Sequence, residues 1–147
     1  MMLRVFLAVL FGTILAVPPG EAANEGPEAS APRSAYVTVA GAPGDGEKAL
    51  AAAVSKRLAA AGLKTATAFE ASVYEIQGTV RLTPASGSKD KVRIIWVVFN
   101  PEGKQLGVVS QERFIRKGSL DRNWGGAADA AAKGAAADIV KLLSEKQ

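Results

Sequence analysis

GAPGDGEK, residues 41–48, is the stretch of this chain whose residue types and spacing come nearest to a chemistry. It follows a short apolar run, Tyr36–Ala40, and precedes a helix-like repeat. Gly41 and Gly46 have the spacing of a phosphate-cradling loop, G-x-x-x-x-G-K-[ST], whose lysine neutralises phosphate and whose hydroxyl ligates magnesium. The decisive positions are filled wrongly. Glu47 stands where the lysine belongs, Lys48 where the hydroxyl belongs, and Asp45 adds a second carboxylate. Any other anion at this helix N-terminus would meet the same two charges. The spacing predicts instead a glycine bend and a helix launched by Asp45 as its N-cap.

Other reactive groups are scarce. The chain contains no histidine and no cysteine, which removes the imidazole base, the Ser-His pair, the thiolate nucleophile and the usual nitrogen and sulfur metal ligands. Glu70 with Glu75, or Asp129 with Asp138, are carboxylates that a fold could bring together, but each falls on a predicted solvent face, where charged side chains normally sit. The expectation is a chain that is not an enzyme, with no catalytic residue, no cofactor and no metal ligand.

The ends of the chain set its compartment. Met1–Arg4 form a positive start, Val5–Val17 an uncharged and mostly apolar run, and Pro18-Pro19-Gly20 a break followed by small residues. That is the layout of a secretory signal peptide, and the run is shorter than the roughly 20 residues of a transmembrane helix. Gly20-Glu21-Ala22 offers a small-x-small cleavage site, so the cut is expected after Ala22, with Ala23 as the alternative; a retained anchor is the competing reading. The expected organisation is a signal peptide over 1–22, a flexible leader over 23–34 (ANEGPEASAPRS) and a single domain over 35–147. The mature chain would be periplasmic, with no stable membrane span. Without cysteine it carries neither a lipid at the cleavage site nor a disulfide, and its core alone must hold it. Cleavage takes Arg4 from 18 basic and Glu21 from 14 acidic residues, leaving 17 − 13 = +4. This mild excess suits anionic envelope polymers or lipids, while the few aromatics near the bases argue against nucleic acid.

The elements follow from periodicity. Tyr36–Ala40 alternates as a first strand. Leu50, Val54, Leu58 and Ala61 make one helical stripe over Glu47–Ala61, ended by Gly62 and Leu63 in the manner of a Schellman motif. Between Val73 and Thr83 the period becomes two: Tyr74, Ile76, Gly78, Val80 and Leu82 share one face. A polar loop, residues 84–91, leads to Val92–Phe99 (VRIIWVVF), the most apolar stretch of the mature chain. NPEG, residues 100–103, is a turn, and Leu106–Arg116 returns antiparallel to the preceding strand. A long last helix is expected from Ser119 as N-cap, with Leu120, Trp124, Ala128, Ala131, Ala135, Ile139 and Leu142 on its apolar stripe. Gly78 is the expected point of closest approach of that helix to the sheet. The order β-α-β-β-β-α predicts an α+β two-layer sandwich, a four-stranded mixed or antiparallel sheet carrying two helices.

Two surfaces stand out. Val92, Ile94, Trp96 and Val98 should face the helices, leaving Ile95, Val97 and Phe99 on the other side. If both helices cover one face, those three residues form an apolar patch on the back of the sheet, a frequent mark of an interface. A helix on each face, or the leader, would bury them instead. The densest basic group, Arg113, Arg116, Lys117 and Arg122, is the second candidate surface, and Trp124 beside it is expected to anchor its helix in the core rather than a recognition patch.

GAPGDGEKALAAAVSKRLAAAGLKT, YEIQGTVRL, IIWVVFNPEGKQLGVVSQ and GSLDRNWGGAADAAAKGAAADIVKLL together resemble small exported proteobacterial proteins, many of them lipoprotein-like and of unassigned function. The likeness spans residues 37–143 and transfers no catalytic role; the absent lipobox cysteine departs from the lipid-anchored members. In element order the chain is also similar to the N-terminal domain of TolB and the outer-membrane activators of penicillin-binding proteins. The resulting expectation is a non-enzymatic cell-envelope module that binds a protein partner or forms a homo-oligomer. The alternative is a small-ligand or anion-binding protein using the Arg113–Arg122 region.

Overall fold

The computed structural model describes residues 33–70 and 72–145. The predicted signal peptide and nearly all of the predicted leader lie outside them. The elements are β1 (Ser34–Ala40), α1 (Gly46–Ala60), β2 (Lys64–Thr65), β3 (Tyr74–Pro84), β4 (Lys89–Phe99), β5 (Gln105–Arg116) and α2 (Gly125–Glu145). They build one sheet in the order β2-β1-β3-β4-β5. β1 runs parallel to both β2 and β3, whereas β3-β4-β5 is an antiparallel meander. Both helices pack against each other and against the same side of this mixed sheet. Among the described residues no helix is long and apolar enough to cross a membrane.

The two-layer α+β architecture stands, but the sheet has five strands rather than four. β2 is only Lys64–Thr65, both exposed, and so carries no apolar alternation by which a strand is recognised. It forms because the α1 C-terminus redirects the chain. Leu63 N–H donates to Leu58 O and Gly62 N–H to Ala59 O, each at 3.0 Å, the paired bonds of a Schellman motif. The turn sends residues 64–65 alongside β1, where Lys64 N–H donates to Arg33 O at 2.8 Å. The fold also begins earlier than expected: Ser34 is already in β1, and Arg33 Nη1 donates to Leu143 O at 2.8 Å. The last two residues of the expected leader therefore belong to the domain.

The core lies between the sheet and the helices. Leu50, Val54 and Leu58 from α1 meet Ile76 and Val80 from β3, and Val92, Ile94, Trp96 and Val98 from β4. From α2 come Ala128, Ala132, Ala135, Ala136, Ile139 and Leu143. The stripe of α2 is therefore centred about one residue later than expected, and Ala131 and Leu142 lie at its margin. Small side chains at its middle let the helix approach the sheet closely, since helix–sheet separation is set by what stands between them.

α2 begins at Gly125, not near Ser119. Residues 117–122 form turns and bends, 123–124 are irregular, and the carbonyl of Arg122, which a continuous helix would spend on residue 126, accepts from Asp45 N–H at 2.9 Å. Leu120 and Trp124 are nevertheless buried, at 4% and 2% exposure, so the apolar spacing continues through a stretch that is not helical. Gly78 likewise has a different neighbour from the expected one. A Cβ there would lie 2.6 Å from the Trp96 ring, so this glycine makes room for the indole and not for α2.

Candidate functional site

The GAPGDG loop closes on the protein itself. Trp124 Nε1–H donates to Pro43 O at 2.9 Å, and the Trp124 backbone N–H donates to Asp45 Oδ1 at 2.8 Å. Glu47 Oε1 accepts from Gly41 N–H at 3.0 Å. Asp45 does occupy the N-cap position of α1, but its carboxylate makes no capping bond to that helix. It serves instead the residue whose carbonyl opens α2, since Ala127 and Ala128 N–H both donate to Trp124 O. A capping-box acid makes this kind of bond from within its own helix; here it comes from the other helix. Gly44, at φ +60, abuts the Arg122 carbonyl, and a Cβ on Gly46 would lie 2.4 Å from Trp124 Nε1. Any larger residue at either position would hold the loops apart. The motif that resembles a phosphate cradle is a clasp between the starts of two helices.

Gln111 is a second internal link, invisible in the sequence because it sits mid-strand without a pattern. Its Oε1 accepts from Trp96 Nε1–H at 3.2 Å, and its Nε2 donates to Ala131 O at 3.1 Å. It thus ties β4, β5 and α2 together beside a groove of about 130 Å³ lined by Arg113, Leu120 and Trp124. Gln111→Leu is expected to lower stability by about 1–3 kcal/mol, because the buried Trp96 N–H loses its acceptor and the Ala131 carbonyl its second donor. Denaturant titration measures it; a neutral result would mean that water replaces the amide.

With both helices on one side, no described element covers the other side of the sheet. Register and alternation define its rows. Tyr36, Glu75, Phe99 and Gln105 form the first; Thr38, Gln77, Val97 and Val108 the second; Ala40, Thr79, Ile95 and Ser110 the third. Ile95, Val97 and Phe99 are half-buried by their neighbours alone, and Val108 is 51% exposed. The structure thus places the three predicted apolar residues together on the uncovered face, and excludes a helix on each face as their cover. Phe69, in the connection from β2 to β3, packs on Tyr36 in a tilted arrangement with ring centroids 6.4 Å apart, extending the patch.

The basic group is not brought together in the same way. Arg116 lies on the uncovered face opposite Lys89, whereas Arg113, opposite Val92, lies on the helix side. Lys117 and Arg122 stand in the turns before α2. The carboxylates weighed earlier are exposed or paired: Glu75 accepts from Gln77 Nε2 at 2.7 Å, and Asp129 pairs with Arg57 across the helices at 3.2 Å. Among the described residues no cluster of acidic side chains gathers closely enough to hold a metal ion.

Among the described residues, these features define a small α+β fold with one sheet face packed by helices and one that no described element covers. No protein-family model matches the chain, and no curated protein matches it. Among solved structures it is similar to PelC from Paraburkholderia phytofirmans, described as a dodecamer. One PelC crystal form aligns at 16% identity and a TM-score of 0.50, covering 78% of this chain and 89% of that one. A PelC variant aligns at 18% identity and a TM-score of 0.51, covering 71% and 87%. A minor lipoprotein from Acinetobacter baumannii aligns at 11% identity and a TM-score of 0.44, covering 73% and 91%. At these identities the PelC likeness establishes the fold alone, and the lipoprotein alignment carries no argument.

Proposed function

We propose that the chain is a non-catalytic cell-envelope protein that binds another protein, or further copies of itself, through the apolar rows of its uncovered sheet face. The observation that carries this reading is the position of Ile95, Val97 and Phe99 with Val108 on the side of the sheet that neither helix covers. Apolar surface of that kind, gathered rather than scattered, favours association. The signal-peptide layout of residues 1–22 supports an exported location. A PelC of the same fold assembles as a dodecamer, which favours a protein–protein role for such a face over a deep ligand pocket.

The test charges the centre of the patch. In-cell crosslinking of the tagged chain should give a recurrent envelope partner or a ladder of its own multiples. Val97→Asp should weaken that association at least about tenfold, since burying an unpaired carboxylate at an interface costs well over 1.4 kcal/mol. Circular dichroism and the melting midpoint should stay close to those of the unaltered chain. Unfolding of Val97→Asp, or unchanged crosslinking, would overturn the reading.

A further inference from the structure

We propose that the far end of the uncovered sheet face, beyond its apolar rows, docks on an anionic lipid bilayer, with Phe114 as the side chain that enters it. Past Ile95 the character of the face changes. Arg81, Arg93 and Glu112 form the next row, Thr83, Lys91 and Phe114 the one after, and Lys89 with Arg116 the last. In these rows five cations face one carboxylate, 5 − 1 = +4. That equals the formal charge of the entire chain, +4, so the remainder of the protein is neutral in sum and the excess is concentrated on this band. Glu112 is occupied by its own neighbours, 3.5 Å from Arg93 and 3.8 Å from Lys91. The other three cations of the band, Arg81, Lys89 and Arg116, are exposed and form no ion pair with that carboxylate.

Phe114 decides between anionic partners. It is 62% exposed, with Lys91 opposite it and Glu112 and Arg116 two residues away on its own strand. A docked protein would have to bury those charges around the ring. A polysaccharide calls for hydrogen-bonding side chains, and a single-stranded nucleic acid for several stacking platforms in succession. A bare phenyl ring among lysine and arginine, with the one nearby carboxylate already paired to Arg93 and Lys91, suits a bilayer interface, where the ring enters the acyl boundary and the cations meet headgroups. The inference rests on the envelope location proposed above and not on its protein partner. Lys91 and Val97 are six residues apart on β4, about 20 Å at the rise of a strand, so both contacts can be made at once.

The test is co-sedimentation of the chain from residue 23 onward, which contains the whole folded unit, with vesicles of phosphatidylglycerol or phosphatidylcholine. Retention is expected on the first only, and it should fall with added salt. Lys91→Gln with Arg116→Gln should lower partitioning on the order of 25-fold, at about fivefold for each cation. Phe114→Trp should keep binding and show a blue-shifted emission with phosphatidylglycerol vesicles, which a merely structural position would not. Equal retention on both lipids, unchanged partitioning of the double variant, or no blue shift would overturn the inference. So would binding of soluble polyphosphate without retention on phosphatidylglycerol, which would point to a polymer. Val97→Asp should leave vesicle binding intact even where it abolishes crosslinking; loss of both would place the membrane contact on the apolar rows instead.

Discussion

Trp124→Ala is expected to lower the unfolding free energy by about 3–5 kcal/mol, as large core truncations do. Three separate contributions converge on this residue. Its ring is 2% exposed and lies in the core with Leu120 and Ala128, so alanine leaves a cavity there. Its Nε1–H is the donor to Pro43 O, which would keep only the bond from Gly46 N–H. The ring also fills the space that Gly46 leaves open, a position whose other close neighbour is Ala42. A domain of this size is held by roughly 5–15 kcal/mol in total, so the variant should melt far earlier and unfold at much lower denaturant. Trp124→Phe separates the contributions, because it keeps most of the packing and loses the hydrogen bond, at a cost of about 1–3 kcal/mol. Amide exchange adds a local readout. Because Trp124 opens α2 and contacts the start of α1, protection should fall early at the N-terminal turns of both helices. A loss below about 1 kcal/mol for the alanine variant would mean that the clasp is not a stabilising element.

The same clasp shows what one-dimensional pattern carries and what it omits. α1 was legible because Leu50, Val54 and Leu58 repeat at helical spacing and Gly62-Leu63 ends the helix through contacts a few residues away. β3 and β4 were legible because their alternation continues for several residues. In each case the signal and its structural cause lie within one element. β2 gave no signal, since two exposed residues have no pattern. The start of α2 was misplaced because Leu120, Trp124 and Ala128 keep a spacing of four whether or not the backbone between them is helical. Asp45 looks like a cap at short range, and its actual partner is 79 residues away. Such a contact is fixed by tertiary packing and leaves no periodic trace.

The two ends of the uncovered face differ in legibility for a related reason. The apolar end was visible as a conditional: Ile95, Val97 and Phe99 alternate with core residues on a single strand, and only the side taken by the helices was in doubt. The basic band was not visible, because its members come from β3, β4 and β5 and are separated in sequence by loops. Arg81, Arg93 and Glu112 meet only through two strand registers. A shift of one residue in either register would turn those side chains to the opposite face. The sequence cluster Arg113–Arg122, by contrast, is dense along the chain but divided in space, with Arg113 and Arg116 on opposite sides of β5. Linear density of charge is a poor guide to a surface when the residues alternate along a strand.

Gly78→Val is the second substitution expected to have a large effect, because it tests a packing arrangement with no slack. A Cβ at this position would lie 2.6 Å from one ring carbon of Trp96 and 2.8 Å from the next, well inside contact distance, and valine adds two methyl groups beyond it. The ring cannot simply step aside. Trp96 is 0% exposed, and its Nε1–H is held by Gln111 Oε1, which is itself tied to α2 through Ala131 O. Overpacking usually costs about 1–3 kcal/mol, and here the displaced indole would also lose its hydrogen bond, for about 1–3 kcal/mol more. Higher β-propensity of valine offsets at most about 1 kcal/mol of that sum. The net loss should be about 1–6 kcal/mol from these contributions, read as a lower denaturant midpoint. Trp96→Phe in the same chain removes part of the collision and should recover a share of the loss, so the two changes together should cost less than the sum of each alone. Strict additivity would mean that Gly78 is required by something other than the indole beside it.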